Sequence, residues 1–346
     1  MDQTYTGVYG RIKALSLDLM SKEKLVALEN VSEDDFLSFL SRENYSTEID
    51  RFSSMYGMPD LLEVVVNTHF MRNVNNAITV LPPPAAETIR TYISKFDIRN
   101  IELILSSKVL GKDLETTEAS IISNRGFPLV SMGGLLSAED YINMANQKDA
   151  QEVMNYLGRT RYGSTIMKTR AAPQTLADVS GIRLALDKEY YTNLRQSFRF
   201  YNGDEGPLLG FLQGLIDMRN IMIIIKTAGT KWKIDDMLID GGSISLQRLL
   251  ELSSKGVEET AKSLPFQLQE ALKQYQQDGL ISGFEVELKK QLYEKTVPLF
   301  RQNSLSVGSV LGFIMLSEIE RDTLRILWFR KHLRFPAYVP SYYYGI

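Results

Sequence analysis

Residues 96–108 of this 346-residue chain decide its interpretation, and they read Phe96-Asp97-Ile98-Arg99-Asn100-Ile101-Glu102-Leu103-Ile104-Leu105-Ser106-Ser107-Lys108. The stretch recurs as Asp217-Met218-Arg219-Asn220-Ile221-Met222-Ile223-Ile224-Ile225-Lys226 and, shorter, as Glu320-Arg321-Asp322-Thr323-Leu324-Arg325-Ile326-Leu327. Each copy has an acid, a basic residue one or two positions later, and then branched apolar residues. Apolar residues three and four positions apart share one helix face, so each copy predicts a helix with one buried face. The early acids predict positions near helix N-termini, where carboxylates are favoured.

A second marker accompanies each copy. Ser21, Ser137 and Ser245 each open a short run with helical apolar spacing, which predicts three N-cap serines. Ser137 and Asp140 also have the spacing of a capping box. The serine precedes the acid by 76, 80 and 75 residues in the three copies, so the pairs have the same order and nearly the same spacing. We interpret this as one helical plan repeated three times. The alternative is that short helices resemble each other because all share one periodicity.

The markers define three similar helical domains, which we predict at residues 1–128, 129–240 and 241–346. Residues 112–134 form the first junction, and Gly241 and Gly242 form the second. Alternating runs of strand length are almost absent, so the predicted fold class is all-α. The serine markers lie 116 and 108 residues apart. Those periods are far longer than the 34–47 residues of common helical-pair repeats, which favours small domains of one architecture.

Local signals give the boundaries of the other helices. We predict helices over residues 5–19, 180–201, 283–303 and 309–332, and a helix over residues 48–72 that is interrupted near Pro59. Pro82-Pro83-Pro84 predicts an extended break, and Gly111 predicts the end of the helix that carries Asp97. A polar, Gly-containing loop is predicted at residues 202–207, and residues 335–346 are predicted to be non-helical.

Composition excludes several function classes. A formal net charge of −3 gives no general attraction for nucleic acid or an anionic membrane. The chain has no Cys, which excludes disulfides, thiolate nucleophiles and Cys-ligated zinc. We see no signal peptide. The most apolar runs, residues 221–225 and 307–316, are shorter than the ~20 residues of a membrane-spanning helix, so we expect no span.

Candidate chemistry is sparse. His69 and His332 fall in separate repeats without a partner motif, and we interpret both as structural. Nothing in the sequence resembles a phosphate-binding Gly-rich loop. Gly7-Val8-Tyr9-Gly10-Arg11 contains two glycines, but no strand precedes it to present a phosphate. The acids Asp235, Asp236 and Asp240 are a weak magnesium candidate because their spacing does not stack on one helix face, and Asp34-Asp35 fit first-turn helix charges. We therefore predict no catalytic, cofactor-binding or metal-binding residue.

Aromatic residues mostly fall at helical spacing and are assigned to the core. The exceptions are four tyrosines of the C-terminal tail, which are Tyr338, Tyr342, Tyr343 and Tyr344. These side chains either dock on the chain's own repeat or anchor a partner, and we favour docking.

The ordered set of motifs resembles one family, the C subunits of archaeal and bacterial A/V-type ATPases, which are the counterparts of the eukaryotic vacuolar d subunit. The resemblance covers essentially the whole chain and rests on Tyr9-Gly10-Arg11-Ile12-Lys13-Ala14-Leu15, the marker serines and the repeated acid motif. Two places depart from the family pattern. Ser106-Ser107 stand where a basic residue is usual before Lys108, and Phe329-Arg330-Lys331 with Arg334-Phe335-Pro336 replace the usual end of the third copy.

The resemblance implies a funnel of three helical domains around a pseudo-threefold axis. It implies a non-catalytic central-stalk component of the rotor that couples the D and F subunits of the central shaft to the membrane proteolipid ring, for proton- or sodium-linked ATP synthesis or hydrolysis. The implied location is peripheral, on the cytoplasmic side of the cell membrane, without nucleic acid. Partner-interface residues are not assigned. The alternatives are a soluble helical-repeat adaptor or scaffold and, more remotely, an all-α metal-dependent enzyme that uses Asp235 and Asp236.

Overall fold

A computed structural model of the protein describes residues 2–111, 123–124, 127–128, 134–169, 171–198, 205–228, 234–302 and 306–332. The described residues form seventeen α-helices, one short 3₁₀-helix and a two-strand pair. The all-α prediction is therefore confirmed. The strands β1 (Ser123–Asn124) and β2 (Phe127–Pro128) pair antiparallel, and each has two residues.

The first seven helices cover the part of the chain before β1. Their bounds are α1 Asp2–Ser16, α2 Lys22–Glu29, α3 Phe36–Arg42, α4 Ser46–Phe52, α5 Asp60–Ile78, α6 Pro83–Ile93 and α7 Lys95–Val109. The next four are α8 Ala138–Ala145, α9 Ala150–Leu157, α10 Gly163–Ile166 and α11 Leu176–Phe198. The last six are α12 Glu205–Thr227, α13 Leu246–Ser253, α14 Val257–Ser263, α15 Gln269–Asp278, α16 Ser282–Gln302 and α17 Val307–His332, with the 3₁₀ turn Asp235–Met237 after α12.

Contacts divide the chain into two compact units. Unit 1 consists of Met1–Ser197 with Leu316–Phe335, and unit 2 consists of Phe198–Met315 with Pro336–Ile346. In unit 1, α5 packs on α1 and α4, α6 packs on α7, and α9 packs on α7 and α8. In unit 2, α12 packs on α13 and α16, and α16 also packs on α15. The three domains were predicted from repeated sequence motifs and not from contacts. Their boundaries stay a prediction.

The cores are built from the predicted apolar faces. Ile98, Ile101 and Leu105 of α7 are all buried. In unit 2, Ile221 and Ile225 of α12 belong to a buried cluster with Phe284 and Leu288 of α16, and Met218 packs against it. Burying such side chains stabilises a fold by about 1.5–3 kcal/mol each relative to exposure.

The three marker serines cap helices as predicted. The hydroxyl oxygens of Ser21, Ser137 and Ser245 accept backbone N–H groups at the starts of α2, α8 and α13. The capping box at Ser137 is also confirmed, because the Asp140 carboxylate accepts the Ser137 N–H in return. Each capped helix has eight residues. We call α2, α8 and α13 the marker helices.

Several boundary predictions are confirmed. Gly111 is the second residue after α7 and has a φ of 63°, a conformation that glycine adopts without strain. The break near Pro59 separates α4 from α5. The predicted helices over residues 5–19, 180–201, 283–303 and 309–332 correspond to α1, α11, α16 and α17 within a few residues.

Several predictions are wrong. Pro82-Pro83-Pro84 is not an extended break throughout, because α6 begins at Pro83. Proline suits the first helical turn, where a missing N–H costs nothing. Asp217 and Glu320 also lie in the interiors of α12 and α17, and not near helix N-termini. Asp34 and Asp35 precede α3, whose first turn contains no acid. The predicted loop at 202–207, most of the junction at 112–134 and the tail at 335–346 lie outside the described residues.

One described helix region, Gly206–Thr227, is long and apolar enough to cross a membrane, with a mean hydropathy of 1.6 over its best window. The expectation of no such segment considered only unbroken apolar runs, and therefore missed it. The window is 67% buried inside the protein, as is usual for a core helix.

Substituting Ser137→Ala tests the cap of α8. The change removes the acceptor for the Asp140 N–H and the partner of the Asp140 carboxylate. We expect a loss of about 1 kcal/mol in the free energy of unfolding, measured by urea denaturation. Ser180→Ala is the control, because that exposed hydroxyl bonds only to a carbonyl within its own helix. Equal stabilities of the two variants would contradict a capping role.

Candidate functional site

The acid of the first motif copy is fully buried and heavily bonded. Asp97, in the first turn of α7, accepts backbone N–H groups from Leu135 at 2.7 Å and Leu136 at 3.3 Å. The hydroxyls of Tyr141 and Tyr162 donate to the same carboxylate at 2.6 and 3.0 Å. Leu135 and Leu136 directly precede the N-cap of α8. The carboxylate therefore holds the chain where it enters a marker helix, next to the positive end of the helix dipole.

The acid of the second copy has the same role in unit 2. Asp217 of α12 accepts the N–H of Ser243 at 3.0 Å, its hydroxyl at 2.5 Å, and the N–H of Ile244 at 3.1 Å. These two residues directly precede Ser245, the N-cap of the marker helix α13. Asn220, three residues along α12, adds a pair of bonds to the N–H and carbonyl of Ile239 at 2.9 and 2.8 Å.

The acid of the third copy also holds the chain before a marker helix. Glu320 of α17 accepts the N–H of Met20 at 2.7 Å and the hydroxyl of Tyr45 at 2.5 Å, and all three residues are buried. Met20 directly precedes Ser21, the N-cap of the marker helix α2. We call each buried acid, together with the backbone that it holds, a carboxylate clasp.

The clasps join each motif copy to the marker helix of the next copy. Asp97 holds the chain before Ser137, Asp217 holds the chain before Ser245, and Glu320 holds the chain before Ser21. Sequence reasoning had paired each acid with the serine of its own third. The partner in the structure is the next serine in cyclic order, and the last copy returns to the first.

Two glycines mark where the backbone comes closest to a carboxylate. A Cβ at Gly134 would lie 2.2 Å from Oδ1 of Asp97, and a Cβ at Gly242 would lie 2.2 Å from Oδ1 of Asp217. Each glycine stands three residues before its marker serine. The corresponding residue before Ser21 is Asp18, which is exposed. The acid there is Glu320, whose side chain is one methylene longer, so that clasp does not require a glycine.

Lysines hold the other end of two marker helices. Lys108 donates to the carbonyl of Ala145, the last residue of α8, at 2.7 Å. Lys331 donates to the carbonyl of Glu29, the last residue of α2. Both lysines stand eleven positions after the clasp acid. A cation suits the negative end of a helix dipole, so acid and lysine together hold both ends of one helix. The second copy has Ala228 at this position.

Burial shapes the electrostatics of the clasps. Desolvation raises the pKa of Asp97 to about 6, although its four hydrogen bonds act in the opposite direction. Desolvation likewise raises the pKa of Glu320, against the hydrogen bond from Tyr45 and the attraction of His69. The pKa values of Tyr45, Tyr141 and Tyr162 lie well above the usual value, through burial and the neighbouring carboxylates. These phenols therefore stay protonated and act as donors.

The candidate catalytic residues of the sequence do not form a reactive group. His69 is buried and stacks on Tyr45 at 4.0 Å between ring centroids, with its Nδ1 3.0 Å from Arg72. His332 is half-exposed, stacks on Trp328 and contacts Glu33 at 2.6 Å. Asp235 and Asp236 lie exposed on the 3₁₀ turn. Within the described ranges, no three His, Asp or Glu side chains are grouped so as to hold a metal ion.

Comparison with known proteins identifies the family. Residues 8–338 match the family described as ATP synthase (C/AC39) subunit. The chain belongs to this family. Among its relatives, the C subunit of the A-type ATP synthase of Thermoplasma volcanium is 35% identical over 339 residues, covering 95% of this chain and 94% of the relative. The protein of the same name from Thermoplasma acidophilum is 32% identical, covering 96% and 95%. That of Methanocaldococcus jannaschii is 24% identical, covering 93% and 82%.

For this C/AC39 family member, sequence reasoning found the clasp acids as motif residues but assigned them no partners. It assigned no site role to Tyr45, Tyr141 or Tyr162, and it placed Gly134 and Gly242 in the junctions without a contact to the acids. Only the position of each glycine, three residues before a marker serine, could have singled it out.

Gly134→Ala and Gly242→Ala test the close approach of backbone and carboxylate. The added methyl group must displace the carboxylate or the backbone that it binds. We expect each to lower the free energy of unfolding by about 1–3 kcal/mol. Asp18→Ala at the corresponding third position should change it by less than about 0.5 kcal/mol, because Asp18 is exposed. Equal losses at all three positions in urea denaturation would contradict the close-approach interpretation.

Asp97→Asn tests the buried charge. The pKa of Asp97 in the folded protein, about 6, exceeds the usual aspartate value of 3.8, so the folded state holds the proton more tightly. This stabilisation is fully present below about pH 4 and is lost as the pH rises through about 6. The wild type should therefore lose up to roughly 3 kcal/mol relative to Asp97→Asn between pH 4 and pH 7.5. Parallel stability curves for both proteins, from urea denaturation at each pH, would contradict this prediction.

Proposed function

We propose that this C/AC39 family member is a non-catalytic central-stalk component of a rotary A/V-type ATPase. It couples a shaft made of the D and F subunits to the membrane proteolipid ring, for proton- or sodium-linked ATP synthesis or hydrolysis. It binds on the cytoplasmic side of the membrane, through the ring alone. The family match and the relatives named as C subunits of A-type ATP synthases support membership of such a complex.

The cyclic order of the three carboxylate clasps is the observation that carries the mechanical part of this proposal. A chain whose last copy holds the marker helix of its first has no copy left without a neighbour. We therefore propose that residues 1–128, 129–240 and 241–346 are three similar domains around a pseudo-threefold axis, which together form a funnel. This arrangement offers one face to the ring and an axial opening to the shaft.

The chemistry of the clasps suits a part that transmits torque. Each joint uses a buried carboxylate with several directional hydrogen bonds, and charge-assisted bonds are about twice as strong as neutral ones. A hydrogen bond to a charged group contributes about 1.5–3 kcal/mol, so separating a clasp acid from its donors is costly. A spacer between shaft and ring requires such rigidity and no reaction of its own.

Reconstitution tests the proposal. We would assemble the ATPase from the same organism without this component and add the purified chain back, in vesicles that contain the proteolipid ring. The chain should bind the D–F shaft and restore ATP-driven ion uptake. It should release no phosphate from ATP when assayed alone. A clasp variant, Asp217→Ala, should lower ion uptake per ATP hydrolysed, whereas the exposed Asp18→Ala should match the wild type.

Two outcomes would contradict the proposal. The first is a folded chain that binds neither the shaft nor the ring. The second is restored binding with ion uptake that stays at the level of the depleted complex.

A further inference from the structure

Two of the three clasps contain a tyrosine at the same place in the fold. Tyr45 is the residue before α4, and Tyr162 is the residue before α10. Each precedes the third short helix that follows a marker serine, and each donates its hydroxyl to the clasp acid. The corresponding residue in unit 2 precedes α15 and is Leu268. Leucine cannot donate a hydrogen bond, so the clasp of Asp217 lacks the phenol that the other two possess.

The carboxylate of Asp217 has an acceptor site to spare. A carboxylate offers about four lone-pair sites, and Asp97 uses four donors. Asp217 receives three bonds, two of them from Ser243 and one from Ile244, among the residues that the structure describes. Leu268 does not fill the place of a phenol, because its side chain is buried in the apolar cluster around Phe284 and Leu288.

A cavity of about 550 Å³ lies beside this acid, within unit 2. Its walls are mainly apolar and come from α12 and α16, with Phe211, Met218 and Leu292 among the lining residues. Asp217 and Ser243 also line it. The volume is in the range of ordinary small-ligand sites. A phenol matches this combination, since its ring is apolar and its O–H can donate to a carboxylate.

The chain itself carries phenols beyond its last described residue. Tyr338, Tyr342, Tyr343 and Tyr344 fall within the final fourteen residues, 333–346. We propose that a tyrosine of this C-terminal tail occupies the cavity and donates its hydroxyl to Asp217, and so completes the third clasp. This inference concerns the isolated chain and does not depend on the proposed rotor role.

Amide hydrogen exchange on the purified full chain tests the proposal. The reporters are the Ser243 and Ile244 amides, which donate to Asp217. A variant with all four tail tyrosines changed to Phe keeps the rings and removes the hydroxyls. We expect exchange of these two amides to accelerate about tenfold or more, because the lost phenol bond to the carboxylate stabilises the closed clasp by at least that factor. The Leu135 and Leu136 amides of the Asp97 clasp are the internal control and should not change.

A chain that ends at His332 allows rescue. Its Ser243 and Ile244 amides should exchange as fast as in the four-Phe variant, and added p-cresol should slow them again. Saturation-transfer NMR should show p-cresol bound to the shortened chain and excluded from the wild type.

Disulfide cross-linking tests independently whether the tail lies in the cavity. Introduced cysteines can be paired specifically because the chain has no native cysteine. Leu299 lines the cavity and is 40% exposed. Leu299→Cys combined with a cysteine at each tail tyrosine in turn should form a disulfide for at least one pair, and excess p-cresol should suppress it.

Unchanged exchange of both amides in the four-Phe and shortened chains would overturn the proposal. Equal p-cresol binding to the wild type and the shortened chain would also overturn it, because the cavity would then be open in the presence of the tail. That result would instead indicate a site for a tyrosine of another protein.

Discussion

Each marker helix in this protein begins next to a buried carboxylate, and the rest of the fold depends on that contact. An ionised carboxylate is expensive to bury unless donors surround it. At Asp97 those donors are two backbone N–H groups and two phenols, which come from three separate points of the chain. All of them must be in place together for the charge to be tolerated. A clasp therefore specifies one arrangement of its surroundings, which non-directional apolar packing does less strictly.

The local part of this structure could be predicted from sequence. Ser21, Ser137 and Ser245 cap their helices because capping involves residues three positions apart, within reach of a motif. The buried faces of α7 and α12 follow from apolar spacing for the same reason. The ordered repeats and the family resemblance were also visible, and the family match over residues 8–338 confirms the resemblance.

The partners of the acids could not be predicted, because they are far away in sequence. Glu320 binds the N–H of Met20, 300 residues distant, and nothing near either residue encodes the contact. Sequence reasoning also missed that Asp217 lies inside a long helix. It placed a loop at residues 202–207 and did not assign the Gly-containing apolar residues 208–216 to the helix of Asp217. Pro83 misled for a different reason. Proline disrupts the interior of a helix but is favoured in the first turn of a helix that begins there. The residue type alone does not show which case applies.

The three clasps share a plan and differ in detail. Those of Asp97 and Glu320 have a tyrosine and a lysine in corresponding places, whereas the clasp of Asp217 has Leu268 and Ala228. The backbone contact before the marker helix is common to all three. The three copies therefore share the interaction with main-chain atoms and differ in the side chains around it.

The length of each clasp acid matches the size of the residue that faces it. This match restricts how the clasps can change during evolution. A short acid is paired with Gly134 or Gly242, and the long acid Glu320 with Asp18. Lengthening Asp97 alone would push its carboxylate into the approaching main chain, and enlarging Gly134 alone would do the same from the other side. A lineage can therefore exchange one kind of joint for the other only by altering both positions together. Among descendants of a common ancestor, the two positions should vary as a pair.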